Sequence, residues 1–192
     1  MPAVEGGAAT VRPAVGPEIK HDDYRLIVQR DGKRVQLFTR NGHDWSGRFR
    51  LIVEAALRNR NSTLVIDGEE VLLGVDGRSD FNGLHSRRHD HEVKFYAFDC
   101  LVSDGEDLRR LPLSMRKANL ARLLARRVDG IHLADFEQGE IGPDLFRHAC
   151  MMGLEGLVSK HRESPYRAGR SDRWIKVKNR QHPAFARVLD QF

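Results

Sequence analysis

The chain predicts an α+β fold, antiparallel β-sheets with flanking helices, and three observations carry this reading. Short β-branched and aromatic runs are separated by turns containing glycine, as in hairpins. Three or four amphipathic segments stand between these runs. No regular strand-helix-strand repeat links them. The 192 residues suffice for a sizeable core, and hydrophobic residues at 40% with a mean hydropathy of -0.52 describe an ordinary globular chain. No apolar stretch approaches the roughly 20 residues of a membrane helix, which excludes a helical bilayer span.

Residues 1–16 are rich in Ala, Gly, Val and Pro, are interrupted by Glu5, and lack a basic leader, so they read as a flexible tail preceding a domain over 17–192. Residues 24–30 and 34–39 flank Asp31-Gly32-Lys33 and form the first hairpin. Over 48–60, Leu51, Ile52, Ala55 and Ala56 share one face with arginines opposite, an amphipathic helix that ends at Asn61-Ser62. Residues 63–67 and 70–74 predict a second strand pair, 81–88 a polar helical segment and 94–102 a strand. The helix predicted over 113–127 gathers Leu120, Leu123 and Leu124 on one face, with Arg116, Lys117, Arg122 and Arg126 around the rest. Pro143 opens a helix over 143–152, and strands at 156–161 and 173–178 finish the pattern.

Charge and cysteine content narrow the chemistry. The 32 Lys and Arg against 27 Asp and Glu leave a net charge of +5, which favours polyanionic partners, nucleic acid or nucleotide first. Cys100 and Cys150 have no metal-site or disulfide spacing, which fits a reducing cytoplasm. Neither a P-loop nor a Rossmann glycine pattern occurs, so a bound nucleotide must be held by side chains. In Lys176-x-Lys178 the two-residue period of a strand turns both ammonium groups to one face, suited to a phosphate, the alternative being a solvated sheet face. Asp67-Gly68-Glu69 reads either as a turn between two strands or as a carboxylate site for a metal or a ribose hydroxyl. Phe98 by periodicity alone is a core aromatic, and Trp174 reads as packing. His85, His89 and His91 with Asp90 offer a zinc-like spacing, but Arg87 and Arg88 oppose a cation there, which favours a solvated loop.

Taken in order, six clusters carry a wider likeness: E-x-K-x-D-x-x-R from Glu18 to Arg25, T-R-N-G from Thr39 to Gly42, D-G-E from Asp67 to Glu69, F-Y-A-F-D from Phe95 to Asp99, E-G-L-V-S-K from Glu155 to Lys160, and W-I-K-V-K from Trp174 to Lys178. The chain resembles the adenylation domain of ATP-dependent DNA ligases, a covalent nucleotidyltransferase, and within it the ligase domain of bacterial ligase D and its stand-alone relatives. The segments 79–87 and 164–171 are similar to that same branch. The resemblance implies that Lys20 attacks the α-phosphate of ATP and holds AMP as a phosphoramidate, which is then passed to the 5′-phosphate of a DNA nick. It assigns Lys176 and Lys178 to the α-phosphate as catalytic groups. It places Glu18, Arg25, Arg40, Glu69, Phe98 and Lys160 around the nucleotide, with Phe98 stacked on the base and Glu69 on the ribose. Glu155 and Glu69 are its implied ligands for Mg²⁺ or Mn²⁺.

The resemblance also sets out partners and departures. Nicked or broken DNA is the implied partner, together with a separate OB-fold or DNA-end-joining partner, and no membrane. Related readings are an RNA ligase or capping-type transferase, and a nucleotide- or DNA-binding module without turnover. Asp23 stands where the family has Gly, and residues upstream of Pro17 do not look like the usual lead-in strand. The sequence ends at residue 192, and the OB-fold domain that follows in the family is expected to be absent.

Overall fold

Strand pairing divides the β-structure of the computed structural model into two sheets. It describes residues 14–20, 24–75, 77–126, 128–135, 143–169, 174–182 and 185, with backbone alone for 14–17, 19, 20 and 143. Its strands are β1 (Ala14–Lys20), β2 (Arg25–Asp31), β3 (Arg34–Thr39), β4 (Thr63–Val71), β5 (Lys94–Ser103), β6 (Glu106–Asp107), β7 (Ile131–Leu133), β8 (Gly156–His161) and β9 (Trp174–Lys178). The helices are α1 (Arg50–Arg58), α2 (Phe81–Ser86), α3 (Leu113–Leu123) and α4 (Pro143–Met151). One sheet runs β1-β8-β9, and the other runs β3-β2-β4-β5-β6 with β7 on β5. All pairings are antiparallel except β5 with β7, which is parallel. Short β6 and β7 carry too few residues to show a period, and the sequence gives no sign of either. The expected α+β class with flanking helices is the one observed.

The first hairpin forms as its turn chemistry demands, with Gly32 at φ 57 between β2 and β3. Leu26 and Val28 of β2 meet Leu64 and Ile66 of β4, Phe95 and Ala97 of β5, Ile52 and Ala56 of α1, and Leu120 of α3 in the main core. Two-residue spacing on the strands and three- to four-residue spacing on the helices bury these faces. None of the described helices is long and apolar enough to cross a membrane.

Four expectations change. Residues 63–67 and 70–74 do not form a hairpin; Asp67-Gly68-Glu69 lies inside the continuous strand β4. Gly68 there makes a close approach instead of a turn: a Cβ on it would lie 2.5 Å from the Phe95 ring and would also strike the Tyr96 carbonyl oxygen. Gly68→Ala is therefore expected to lower stability by about 1–3 kcal/mol, the usual cost of overpacking, read as a drop in thermal midpoint. An unchanged midpoint would show that the Phe95 ring moves aside freely. Second, β1 begins at Ala14, so residues 14–16 of the expected tail and the segment before Pro17 are a strand after all. The ladder slips between Val15 and Glu18, and this bulge carries Gly16 and Pro17, where a strand tolerates a missing N–H. Residues 1–13 and Asp23 lie outside the described residues. Third, the helix expected over 113–127 stops at Leu123.

Fourth, Arg116 and Lys117 do not belong to a solvated face of α3: they are only 3% and 4% exposed. Arg116 forks onto Asp99 of β5, with Nε and a terminal nitrogen 2.8 and 2.9 Å from its two oxygens, and donates to the Leu111 and Ser164 carbonyls. A guanidinium buried with this many acceptors is a satisfied core group. In the β4-β5 register Asp99 lies opposite Asp67, which is itself fully buried.

Candidate active site

Register places chemistry-bearing residues in adjacent rows of the smaller sheet. Glu18, Val158 and Lys176 form one row, and Lys20, Gly156 and Lys178 the next. Because side chains alternate along a strand, positions 156, 158 and 160 of β8 and 174, 176 and 178 of β9 share a face. The Lys176-x-Lys178 spacing therefore does what its period implied. Gly156 contributes no side chain to its row, and a Cβ there would strike the Val177 carbonyl oxygen of β9.

The larger sheet supplies the opposite wall. A cleft between the sheets is lined by Glu18, Val158, Lys160, Trp174 and Lys176 on one side and by Arg25, Glu69 and Phe98 on the other. Arg25 and Glu69 are register partners at the ends of β2 and β4. Phe98 reaches the cleft through a bulge. Gly68 pairs with Ala97 and Asp67 with Asp99, which leaves Phe98 as the extra residue of β5. A bulge re-aims the side chain it carries, and so a residue that period alone assigns to the core becomes part of the cleft.

Two ionic clusters hold these walls. Glu18 is 4% exposed, and its two carboxylate oxygens lie 2.7 Å from Lys117 Nζ and 2.5 Å from Lys160 Nζ. Burial opposes its charge, yet the two ammonium groups outweigh burial and hold Glu18 below the usual carboxylate range. The Lys160 ammonium also sits 3.9 Å from the Phe98 ring centre and 4.7 Å from that of Trp174. In the second cluster, Arg25 Nε donates to Asp67 Oδ1 at 2.8 Å, its terminal nitrogen pairs with Asp67 Oδ2, and the Tyr166 hydroxyl donates to the same Oδ2 at 3.2 Å. Burial pushes the Asp67 carboxyl up and works against the Arg25 charge as well. The two-point fork is the arrangement of a charged pair, and Asp67 outweighs burial to keep Arg25 protonated. Burial, with the Asp67 charge beside it, pushes the Tyr166 hydroxyl up to about 12.

The remaining sequence candidates fall around this cleft. Glu155 is buried just before β8, 3.9 Å from Lys178 Nζ. Lys20 closes β1 opposite Gly156, and its side chain lies outside the described atoms. Arg40 stands on an exposed turn after β3 and is not among the residues lining the cleft. His85 meets the Tyr24 hydroxyl and stacks on Phe81, while His89 pairs with Glu92. Among the described residues no group of three or more His, Cys, Asp or Glu is placed to hold a metal ion. Trp174, read from sequence as packing, lines the cleft. Lys117, Arg116 and Tyr166 are the functional-site neighbours that sequence reasoning missed. Tyr166 lay in a segment already singled out, whereas Lys117 and Arg116 gave no signal beyond their place on a helix.

The two sheets with this cleft between them are the fold of a ligase nucleotidyltransferase domain. The chain belongs to the ATP dependent DNA ligase domain family, whose model matches residues 6–178. It is 37% identical over 164 residues to the multifunctional non-homologous end joining protein LigD of Pseudomonas aeruginosa, covering 84% of this chain and 20% of that protein. It is 35% identical to a DNA ligase of Natronomonas pharaonis over 173 residues, 84% of this chain and 31% of that one. The solved structure of mycobacterial DNA ligase D complexed with ATP and MES superposes with a TM-score of 0.75 at 30% identity, over 92% of this chain and 58% of that one. The chain thus spans between a fifth and a third of these two curated relatives.

Proposed function

We propose that this domain catalyses covalent adenylyl transfer, with ATP as the nucleotide and nicked or broken DNA as the final acceptor. The observation that supports this most is the convergence of five of the six sequence clusters on the cleft, beside the row that holds Lys20. Lys20 is the nucleophile: its nitrogen bonds to the α-phosphorus, the bond to the bridging oxygen breaks, pyrophosphate leaves and the amine proton passes to solvent. Lys176 and Lys178 stabilise charge on the α-phosphate oxygens, Lys178 standing in the same row as Lys20. Phe98 offers its face to the base, Glu18 and Lys160 its hydrogen-bonding edge, and Glu69 the ribose. Arg25 and Arg40 serve the ribose and phosphates.

The donor set fits one kind of metal site. With no cluster of three ligating side chains among the described residues, a dedicated protein cage is not offered. Glu155 and Glu69 instead match the pattern of Mg²⁺ or Mn²⁺ held by one or two carboxylates together with phosphate oxygens and water. A cation held there would supply neutralisation of charge on the triphosphate. In the second half-reaction AMP passes to a DNA 5′-phosphate, with an OB-fold unit or an end-joining protein gripping the duplex and the cytoplasm as the setting.

The test is incubation with ATP labelled at the α-phosphate, followed by denaturing electrophoresis. A covalent label is expected, its formation prevented by EDTA and restored by Mg²⁺ or Mn²⁺, and the label once formed is expected to be discharged by pyrophosphate with the metal present. Transfer of the label to a nicked DNA duplex in preference to a nicked RNA duplex supports the acceptor. No label with metal present would overturn the reading, and metal-independent labelling would overturn the role of Glu155 and Glu69.

A further inference from the structure

Lys117 lies outside all six clusters and does not line the cleft, yet it touches both of its walls. Its Nζ is 2.7 Å from Glu18 Oε1, on β1 of the smaller sheet, and donates at 3.2 Å to the Phe98 carbonyl, on β5 of the larger one. Glu18 therefore carries two cations of different standing. Both are buried, at 3% and 4% exposed, but Lys160 lines the cleft with its ammonium on the Phe98 face, whereas Lys117 stands on helix α3 and is not among the residues lining it. A purine stacking on Phe98 would meet Lys160 where it now sits. Lys160 can release Glu18 without stranding a buried charge only because the second ammonium remains, since an unpaired buried carboxylate is strongly unfavourable.

We infer that Lys117 is a positioning residue for base recognition: it keeps Glu18 ionised and fixed beside the Phe98 strand, so that Lys160 is exchangeable between Glu18 and the incoming base. This rests on the nucleotide reading of the cleft. An ionised Glu18 accepts hydrogen bonds and donates none, which suits the exocyclic amine of a 6-aminopurine and disfavours a 6-oxopurine. Burial pulls the Lys117 ammonium below its ordinary value, and Glu18 works against that pull.

The experiment measures binding of AMP and GMP to the full chain by calorimetry, with ATP labelling run in parallel. Lys117→Met is expected to weaken AMP about tenfold, to narrow the preference for AMP over GMP, and to leave the saturating labelling rate within about twofold, because the reacting atoms are untouched. Lys117→Arg, which keeps the charge, should restore most of the affinity. In the charge-balanced double variant Glu18→Gln with Lys117→Met, AMP should bind as it does to Glu18→Gln alone, the non-additivity of two groups acting as one. That comparison also carries the test if Lys117→Met does not fold. Unchanged AMP affinity in folded Lys117→Met, independent losses in the double variant, or no AMP binding by the unaltered chain would overturn the inference. AMP binding without any label from ATP would overturn adenylyl transfer and leave the role of Lys117 standing.

Discussion

Lys20→Ala is expected to abolish the covalent label from ATP while leaving the fold intact. Lys20 closes β1 opposite Gly156, and strand pairing at that place is a backbone matter that alanine preserves. Other lysines surround the cleft, but they are poorly suited to replace it. Lys160 is ion-paired to Glu18 at 2.5 Å, and Lys178 lies 3.9 Å from Glu155. Each of the two is thus already engaged by a carboxylate partner. Loss of label together with retained sealing of a pre-adenylated nick would place the defect in the first chemical step. Label persisting in Lys20→Ala would mean that another amine is the nucleophile.

Asp67→Ala is expected to have the largest effect on stability. Asp67 is fully buried and accepts from Arg25 through both oxygens and from the Tyr166 hydroxyl. Removing it leaves a half-buried guanidinium without its fork, a change that costs about 3–5 kcal/mol. At roughly 2–4 °C per kcal/mol for a domain of this size, the thermal midpoint should fall by about 10 °C or more. AMP binding should fall with it, because Arg25 then loses the carboxylate fork that fixes its orientation at the cleft. Asp67→Asn keeps the shape and one acceptor oxygen, so its loss should be smaller. A midpoint within 2 °C of the unaltered chain would show that water replaces the carboxylate at Arg25 with little penalty.

Much of this architecture was legible because local chemistry and global fold agree. The Asp31-Gly32-Lys33 turn, the apolar face of α1 and the alternate placing of the lysines on β9 are found in the structure as their spacing implied. Failures came where a residue answers to a distant partner. Gly68 looked like a turn residue because a close approach to Phe95 leaves no mark in neighbouring residues. Lys117 and Arg116 looked solvated because a helix reads the same whether its cations face water or the carboxylates of Glu18 and Asp99. Phe98 looked like core because a bulge breaks the two-residue period and no sequence signal announces where. The cluster order brought Glu18, Arg25, Glu69, Phe98, Lys160 and Lys176 to attention together, whereas the strand period alone would have scattered them.

The facing aspartates of β4 and β5 have a consequence for how this domain tolerates mutation. Asp67 and Asp99 are neighbours in register, and each is matched to its own arginine, Arg25 from β2 and Arg116 from α3. Like charges opposite one another in a sheet repel, so each carboxylate depends on its own arginine to offset the charge of the other. A neutral residue at Arg116 thus raises the cost of every change at Arg25, although the two side chains answer to different strands. An exchange that neutralises Asp99 and Arg116 together is expected to cost less than either step alone. The pair ties the variability of a helix behind the cleft to that of a residue inside it.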